Sequence, residues 1–351
     1  MRNIHPALSL RFLFNRESQQ ASMTETAIIA AGALIVLLTL YDMFNTTISL
    51  GGGGPLSAKM IIGIWKRLPW GPGPLRGSAG GILSFCTILM WMALLWLGWT
   101  LIFLPVPDAV LRTSNSEPAD LAGRIYFTGF TLFTLGLGDY RPDGPLWQIL
   151  TALCVGTGFL SVTMSATYLV PMLSAAAEKR AVASMIDSMG DTPEDIVING
   201  WREGNLLSLG TRLASLSSQI AGTATSHLSY PILHTFNTAE AARATPVQIV
   251  KLNEALLLIE HGVSPGSRPA ALDVLSARRA VTDFFEHAGS GAKPSDEVPP
   301  TPDLARLAEA GLPTVPQHDF DSAIHHQRDA RRRAHGMLLE SGWSIKDAVG
   351  R

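Results

Sequence analysis

Residues 134–139 read Thr134-Leu135-Gly136-Leu137-Gly138-Asp139, with a long apolar segment on either side. The placement says more than the string. A Gly-x-Gly stretch between two membrane spans predicts a loop that re-enters the membrane and offers backbone carbonyl oxygens to an ion. Non-helical backbone at that depth survives only where it lines a wet cavity. Gly136 and Gly138 supply backbone dihedrals that turn successive carbonyls the same way.

The flanking chain fits that reading. Its 351 residues are 47% hydrophobic and only 16% charged, with a mean hydropathy of +0.22, too apolar for an ordinary soluble protein of this length. Three uncharged stretches stand out, at 27–41, 82–104 and 146–173. The second and third exceed the ~20 residues that cross ~30 Å of hydrocarbon. The first spans if it borrows the stem around Asp42, Met43 and Phe44. A cleaved signal peptide is the alternative there, although no small-residue cleavage site follows Tyr41.

Lys59, Lys66, Arg67 and Arg76, with no acidic residue among them, place the first inter-span loop in the cytoplasm. The N-terminus and the filter loop are then outside, and the chain from about residue 175 is inside. Arg2, Arg11 and Arg16 argue weakly against this, but Met23 offers an alternative start that would make 1–22 an upstream extension. The expected division is an N-terminal extension (1–24), a first transmembrane helix (25–50), a cytoplasmic loop (51–79), a pore domain (80–174) and a helical cytoplasmic domain (175–351). Within the loop, 55–70 sets Leu56, Met60, Ile61, Ile62, Ile64 and Trp65 against Lys59, Lys66 and Arg67, the pattern of an amphipathic helix lying on the leaflet. Glycines at 51–54, 71 and 73 break the chain around it.

The run Thr134–Asp139 resembles the potassium-channel selectivity filter, usually written T-V-G-Y-G-D. Extended to T-L-G-L-G-D-Y-R-P, it resembles the second pore loop of tandem-pore potassium channels, which also carry leucine where tyrosine is commoner. The resemblance covers roughly residues 80–175. It implies an all-α membrane protein with three transmembrane helices, a re-entrant pore helix over 121–133 and a filter loop. K⁺ would be held by the carbonyls of Thr134, Leu135, Gly136 and Leu137, with Gly138 completing the filter and the Thr134 hydroxyl forming the innermost ring. Asp139, Tyr126 and Phe130 would brace it.

The pattern departs from the family's in three places. Leu137 removes the tyrosine hydroxyl, Phe130 stands where some members carry a buried glutamate, and Tyr126 stands where several carry tryptophan and could still bond Asp139. One filter per chain, with no internal repeat, requires four chains around one axis. In the inner helix, Gly156 and Gly158 are candidate gating hinges and Pro171 a candidate kink. Thr163, Ser165 and Thr167 face the water cavity, cap backbone left open by a bend, or bond neighbouring helices.

Other classes find no support. There is no arginine ladder, no Gly-x-Gly-x-x-Gly after a strand, no cyclic-nucleotide β-roll pattern, and no hydrolase or metalloprotease motif. A net charge of −2 gives no reason to expect nucleic acid. Cys86 and Cys154 lie in spans, so no disulfide framework is readable. No cofactor is expected beyond K⁺ as the permeant ion.

Trp99 and Trp147 are expected in an outer aromatic belt, and Trp91 and Trp96 either there or in lipid-facing packing. Asp42 is expected as an interface-exposed helix end, with a buried role paired with Lys or Arg as the alternative. Helices are expected at 174–189, 193–223, 246–261, 269–287 and 319–349, with a linker over 290–317. His227 and His234 read as structural histidines. His325, His326 and His335, with Arg328 and Arg331–Arg333, read as a solvated face, or as an anion or lipid-headgroup patch. The resulting expectation is a homotetrameric, multi-pass potassium channel of the cell membrane, with K⁺ and the lipid bilayer as partners and no readable cytoplasmic ligand. A less selective cation channel, and a signalling or scaffold protein with a vestigial pore, are the alternatives.

Overall fold

The apolar stretches become helices because a chain in hydrocarbon must satisfy its backbone internally. A computed structural model describes residues 6–48, 53–65, 67, 74–289 and 292–350. Arg2, Lys66 and the expected glycine breaks at 51, 52, 71 and 73 lie outside them. The elements run α1 (Pro6–Ile48), α2 (Pro55–Trp65), α3 (Pro74–Phe103), β1 (Val110–Arg112), α4 (Leu121–Leu132), β2 (Tyr140–Pro142) and α5 (Gly144–Asp187). Then come α6 (Pro193–Gly200), α7 (Leu207–Ser229), α8 (Thr245–Leu257), α9 (Ala271–Ala288), α10 (Leu304–Glu309), α11 (Gln317–His326), α12 (Arg328–Glu340) and α13 (Ile345–Val349). Three helical segments are long and apolar enough to cross a membrane: Ser22–Ile48, Ala79–Phe103 and Gly144–Asp187. The protein is thus an all-α membrane protein with a helical C-terminal region; among the described residues the strands are confined to the short antiparallel β1–β2 ribbon.

Two compact units form. The first takes α1, the start of α2 and residues 85–168. Here α1 and α3 cross at two glycines. A Cβ on Gly32 would stand 2.6 Å from the Gly98 carbonyl oxygen, and one on Gly98 would stand 2.8 Å from Val36, so only glycine permits this approach.

Near the end of α1, Asp42 is fully buried, which corrects the expectation of an exposed helix end. Its carboxylate accepts from the backbone N–H of Leu56 (2.6 Å) and Ser57 (3.2 Å), the Ser57 hydroxyl, and Trp91 Nε1 (2.8 Å). The Leu56 and Ser57 amides are orphan donors of the first turn of α2, so Asp42 caps that helix from a distance and meets the positive end of its dipole. Thr46 Oγ1 accepts from Gly54 N at 2.8 Å beside it.

The tryptophans also differ from expectation. Trp91 is buried on Asp42, and Trp99 is buried with Nε1 donating to Thr157 Oγ1 at 2.9 Å. Neither forms a lipid-facing belt. Trp99 instead joins Phe103, Phe127 and Trp147 in one aromatic cluster, with centroids 5.4–6.1 Å apart. An indole N–H buried at depth needs an acceptor, and both have one within the chain.

The second unit takes the end of α2, the start of α3 and residues from 169 onward. Its boundaries revise several expectations. The helix expected over 174–189 is the end of α5, which runs unbroken for 44 residues, about 66 Å. The helix expected over 193–223 is two. The reciprocal Thr192/Asp195 cap starts α6, and a turn with positive φ at Glu203 and Gly204 separates it from α7. The linker expected over 290–317 contains α10, capped by Asp303. The stretch expected as one helix over 319–349 is three, with Gly342 at φ +84° before the last.

The core joins Leu213, Leu216 and Ile220 of α7 to Ala277, Val281 and Phe284 of α9 and to Leu252 and Leu256 of α8. Arg331 and His335 are buried rather than solvated. Arg331 meets Glu254 at 2.8 Å with both side chains at most 2% exposed. An ion pair so deep specifies register more than it adds stability. At the edge of the unit, buried Lys179 of α5 donates to the carbonyls of Leu233 (3.0 Å) and Phe236 (3.3 Å), and His234 meets the Trp65 ring edge-on at 5.9 Å.

His227 is buried against Phe284 at 5.6 Å. Burial, reinforced by the positive charge of Lys179 and by His234 and His287, pushes its imidazole down to about 3. Above pH ~6.5 this histidine is neutral in both folded and unfolded chains and costs nothing. As pH falls below ~6.5 the unfolded chain gains a proton that the folded one refuses until about 3, so stability drops by roughly 1 kcal/mol for each pH unit. Chemical unfolding between pH 7.5 and 4.5 should show this slope. His227→Gln should flatten it, and an unchanged slope in that variant would contradict the assignment.

Candidate functional site

The loop after α4 is positioned from its own first turn. Asp120 caps α4 by accepting from Gly123 N at 2.8 Å. Arg124, buried in the next turn, donates through Nε to Ala119 O (2.9 Å), through Nη2 to Pro107 O (3.2 Å) and through Nη1 to Leu104 O. Its guanidinium therefore ties the helix start to the chain leaving α3. Phe127, Phe130 and Leu132 face the core, and Trp96 Nε1 donates to Ile125 O at 3.0 Å from α3. The re-entrant helix expected over 121–133 is observed as Leu121–Leu132.

Beyond it the backbone changes character. Thr134 N and Leu135 N still bond back to Thr131 O (3.1 Å) and Phe130 O (2.8 Å). Thr134, Gly136 and Gly138 then take φ of +60°, +57° and +84°, while Leu135 and Leu137 do not. Alternation of handedness along a strand turns its carbonyls toward one side. A β-branched residue at positive φ is strained, so Thr134 marks a place where local structure yields to something else. Among the described residues, no hydrogen bond is donated to the carbonyls of Thr134, Leu135, Gly136 or Leu137. Four consecutive acceptors are left unspent, and the segment is exposed, Leu135 at 61% and Leu137 at 53%.

The far end of the loop is pinned. Thr113 Oγ1 donates to Gly138 O at 2.6 Å and Thr113 N to Asp139 O at 2.8 Å, so the Gly138 carbonyl is engaged. The ribbon pairs Arg112 with Tyr140. Tyr126 Oη donates to Asp139 Oδ2 at 3.1 Å, and Phe130 lies edge-on to Tyr126 at 5.2 Å. Thr113→Val keeps the backbone bond and removes the one to Gly138. It should loosen this end of the loop and change cation flux in a liposome assay; flux unchanged from wild type would count against this role.

Residues 86–175 match a family described as an ion channel. The chain is also similar to the uncharacterized membrane protein YdjJ of Bacillus subtilis (strain 168), with 29% identity over 330 residues, 92% of this chain and 97% of that protein. No solved structure gives a significant match. The matched region contains α4, the loop that follows it and most of the next span, which supports a channel domain here.

Along α5 the helix is uninterrupted through Gly156, Gly158 and Pro171. A Cβ on Gly158 would strike the carbonyl of Leu132, at the end of α4. Gly158 thus lets α5 touch the end of α4, just before the loop, whereas Gly156 faces open space. The Thr163, Ser165 and Thr167 hydroxyls bond carbonyls of their own helix one turn back.

Two residues of this region escaped the sequence reading, Thr113 and Arg124. Their partners are mostly backbone atoms, which leave no residue-type signature. A lone arginine entering an otherwise uncharged pore helix was the one visible signal.

Proposed function

We propose that four copies of this chain form a potassium-selective channel in the cell membrane, conducting passively, with the C-terminal domain in the cytoplasm. The observation that carries the reading is the run of four unspent carbonyls at Thr134–Leu137, on backbone of alternating handedness. In a membrane such acceptors need a partner. Four loops around one axis would offer rings of them to a dehydrated cation, which moves by knock-on between adjacent rings. The C-terminal end of α4 adds a negative dipole end below the filter.

Exposed Leu146, Ile149, Leu153 and Phe159 of α5 supply apolar surface for lipid and neighbouring copies. Leu137 lacks the tyrosine hydroxyl, and in this reading Thr113 and the Tyr126–Asp139 bond take over the bracing. Gly156 is the favoured hinge of the inner helix, since Gly158 has a packing role of its own; Pro171 is the candidate kink.

The test is reconstitution of purified protein, sized by light scattering, into K⁺-loaded liposomes. A four-chain particle whose K⁺ efflux is blocked by Ba²⁺ and exceeds Na⁺ efflux supports the proposal. Equal Na⁺ and K⁺ flux would leave a cation channel without K⁺ preference. A tetramer with no flux would favour a vestigial pore.

A further inference from the structure

The second unit holds a cavity of about 500 Å³ that the pore does not use, within the range of small-molecule sites. One face of α9 supplies Arg278, Thr282, Phe285 and Glu286, spaced as neighbours along a helix; α8 adds Asn253 and Leu257, and α12 adds Arg333 and Met337. Leu257 and Met337 are buried and make an apolar floor with half-buried Phe285.

The polar groups divide into spent and unspent. Arg278 is held by Glu260 (2.8 Å) and by Asn253 Oδ1 (2.6 Å). On the exposed rim, Arg333 and Glu286 have no hydrogen bond or ion pair with any described residue, and they do not bridge each other. One cavity therefore carries, over an apolar floor, a cation and an anion that no other described residue engages. A polyanion such as a nucleotide would meet Glu286 unfavourably. A plain hydrocarbon would leave both charges idle.

We infer that this cavity binds a small zwitterion with an apolar body, the simplest being an α-amino acid with a large hydrophobic side chain. Its carboxylate pairs with Arg333, its ammonium with Glu286, and its side chain lies on Leu257, Phe285 and Met337. The inference is independent of what crosses the pore.

The experiment is calorimetric titration of the full-length protein in detergent with L-phenylalanine, 3-phenylpropionate, 2-phenylethylamine and ATP. L-Phenylalanine should bind saturably and more tightly than either single-charge probe. Arg333→Gln and Glu286→Gln, both at exposed positions, should each weaken it by about tenfold. Glu286→Gln should leave 3-phenylpropionate unchanged. Absence of L-phenylalanine binding at millimolar concentration, binding indifferent to both substitutions, or ATP binding that strengthens in Glu286→Gln would each overturn the assignment.

Discussion

If the proposed tetrameric K⁺ channel is right, Gly136→Ala should abolish K⁺ conduction while assembly persists. Gly136 sits at φ +57° with nothing within 4 Å of where a Cβ would be, so the effect is not a clash but a backbone preference. An L side chain in the left-handed region costs about 1–2 kcal/mol. Four copies on one axis multiply that to roughly 4–8 kcal/mol. The cheapest relief is rotation of the peptide plane, which turns a carbonyl out of the coordinating row. Assembly should survive, because α4 is fixed through Arg124, Phe127 and Trp96, none of which lies within 4 Å of a Cβ at Gly136. Liposome flux and light scattering of the same preparation measure the two effects separately. Wild-type flux in this variant would remove Thr134–Gly138 as the conducting segment.

Asp42→Ala should produce the largest loss of stability. It strips the acceptor from two amides of α2, the Ser57 hydroxyl and the Trp91 indole. A buried donor left unsatisfied costs about 1–3 kcal/mol. Allowing for relaxation and water entry, the expected loss is about 3–5 kcal/mol, or a fall near 10 °C in the melting temperature in detergent. Asp42→Asn keeps an acceptor and should lose roughly half as much; Trp91→Phe, which removes one donor, about 1 kcal/mol. A melting temperature within about 2 °C of wild type for Asp42→Ala would show that the cluster does not hold α1, α2 and α3 together.

What the sequence disclosed and what it withheld divide along physical lines. The spans and the pore loop were legible because their signals are contiguous: uninterrupted apolar runs, and glycines at fixed spacing between them. The helical character of the C-terminal region was legible, but its breaks were not. The turn after α6 uses a glutamate at positive φ, Glu203, which no turn rule favours. Arg331 looked solvated because Glu254 lies 77 positions away, and an arginine-rich helix reads as surface until its partner is known. Asp42 and Arg124 looked unpartnered because most of their partners are backbone atoms. Trp91 and Trp99 were placed toward lipid because an indole at the right depth suits a belt, and only the fold brings the Asp42 carboxylate and the Thr157 hydroxyl within reach.

The central claim is that the free carbonyls of Thr134–Leu137 select K⁺. The most direct measurement is the reversal potential of currents from the reconstituted protein in a planar bilayer, with K⁺ on one side and Na⁺ on the other. A K⁺-selective filter predicts a reversal potential displaced far toward the K⁺ equilibrium value and a current abolished by Gly136→Ala. A reversal potential near zero, with Na⁺ and K⁺ carrying equal current, would contradict it.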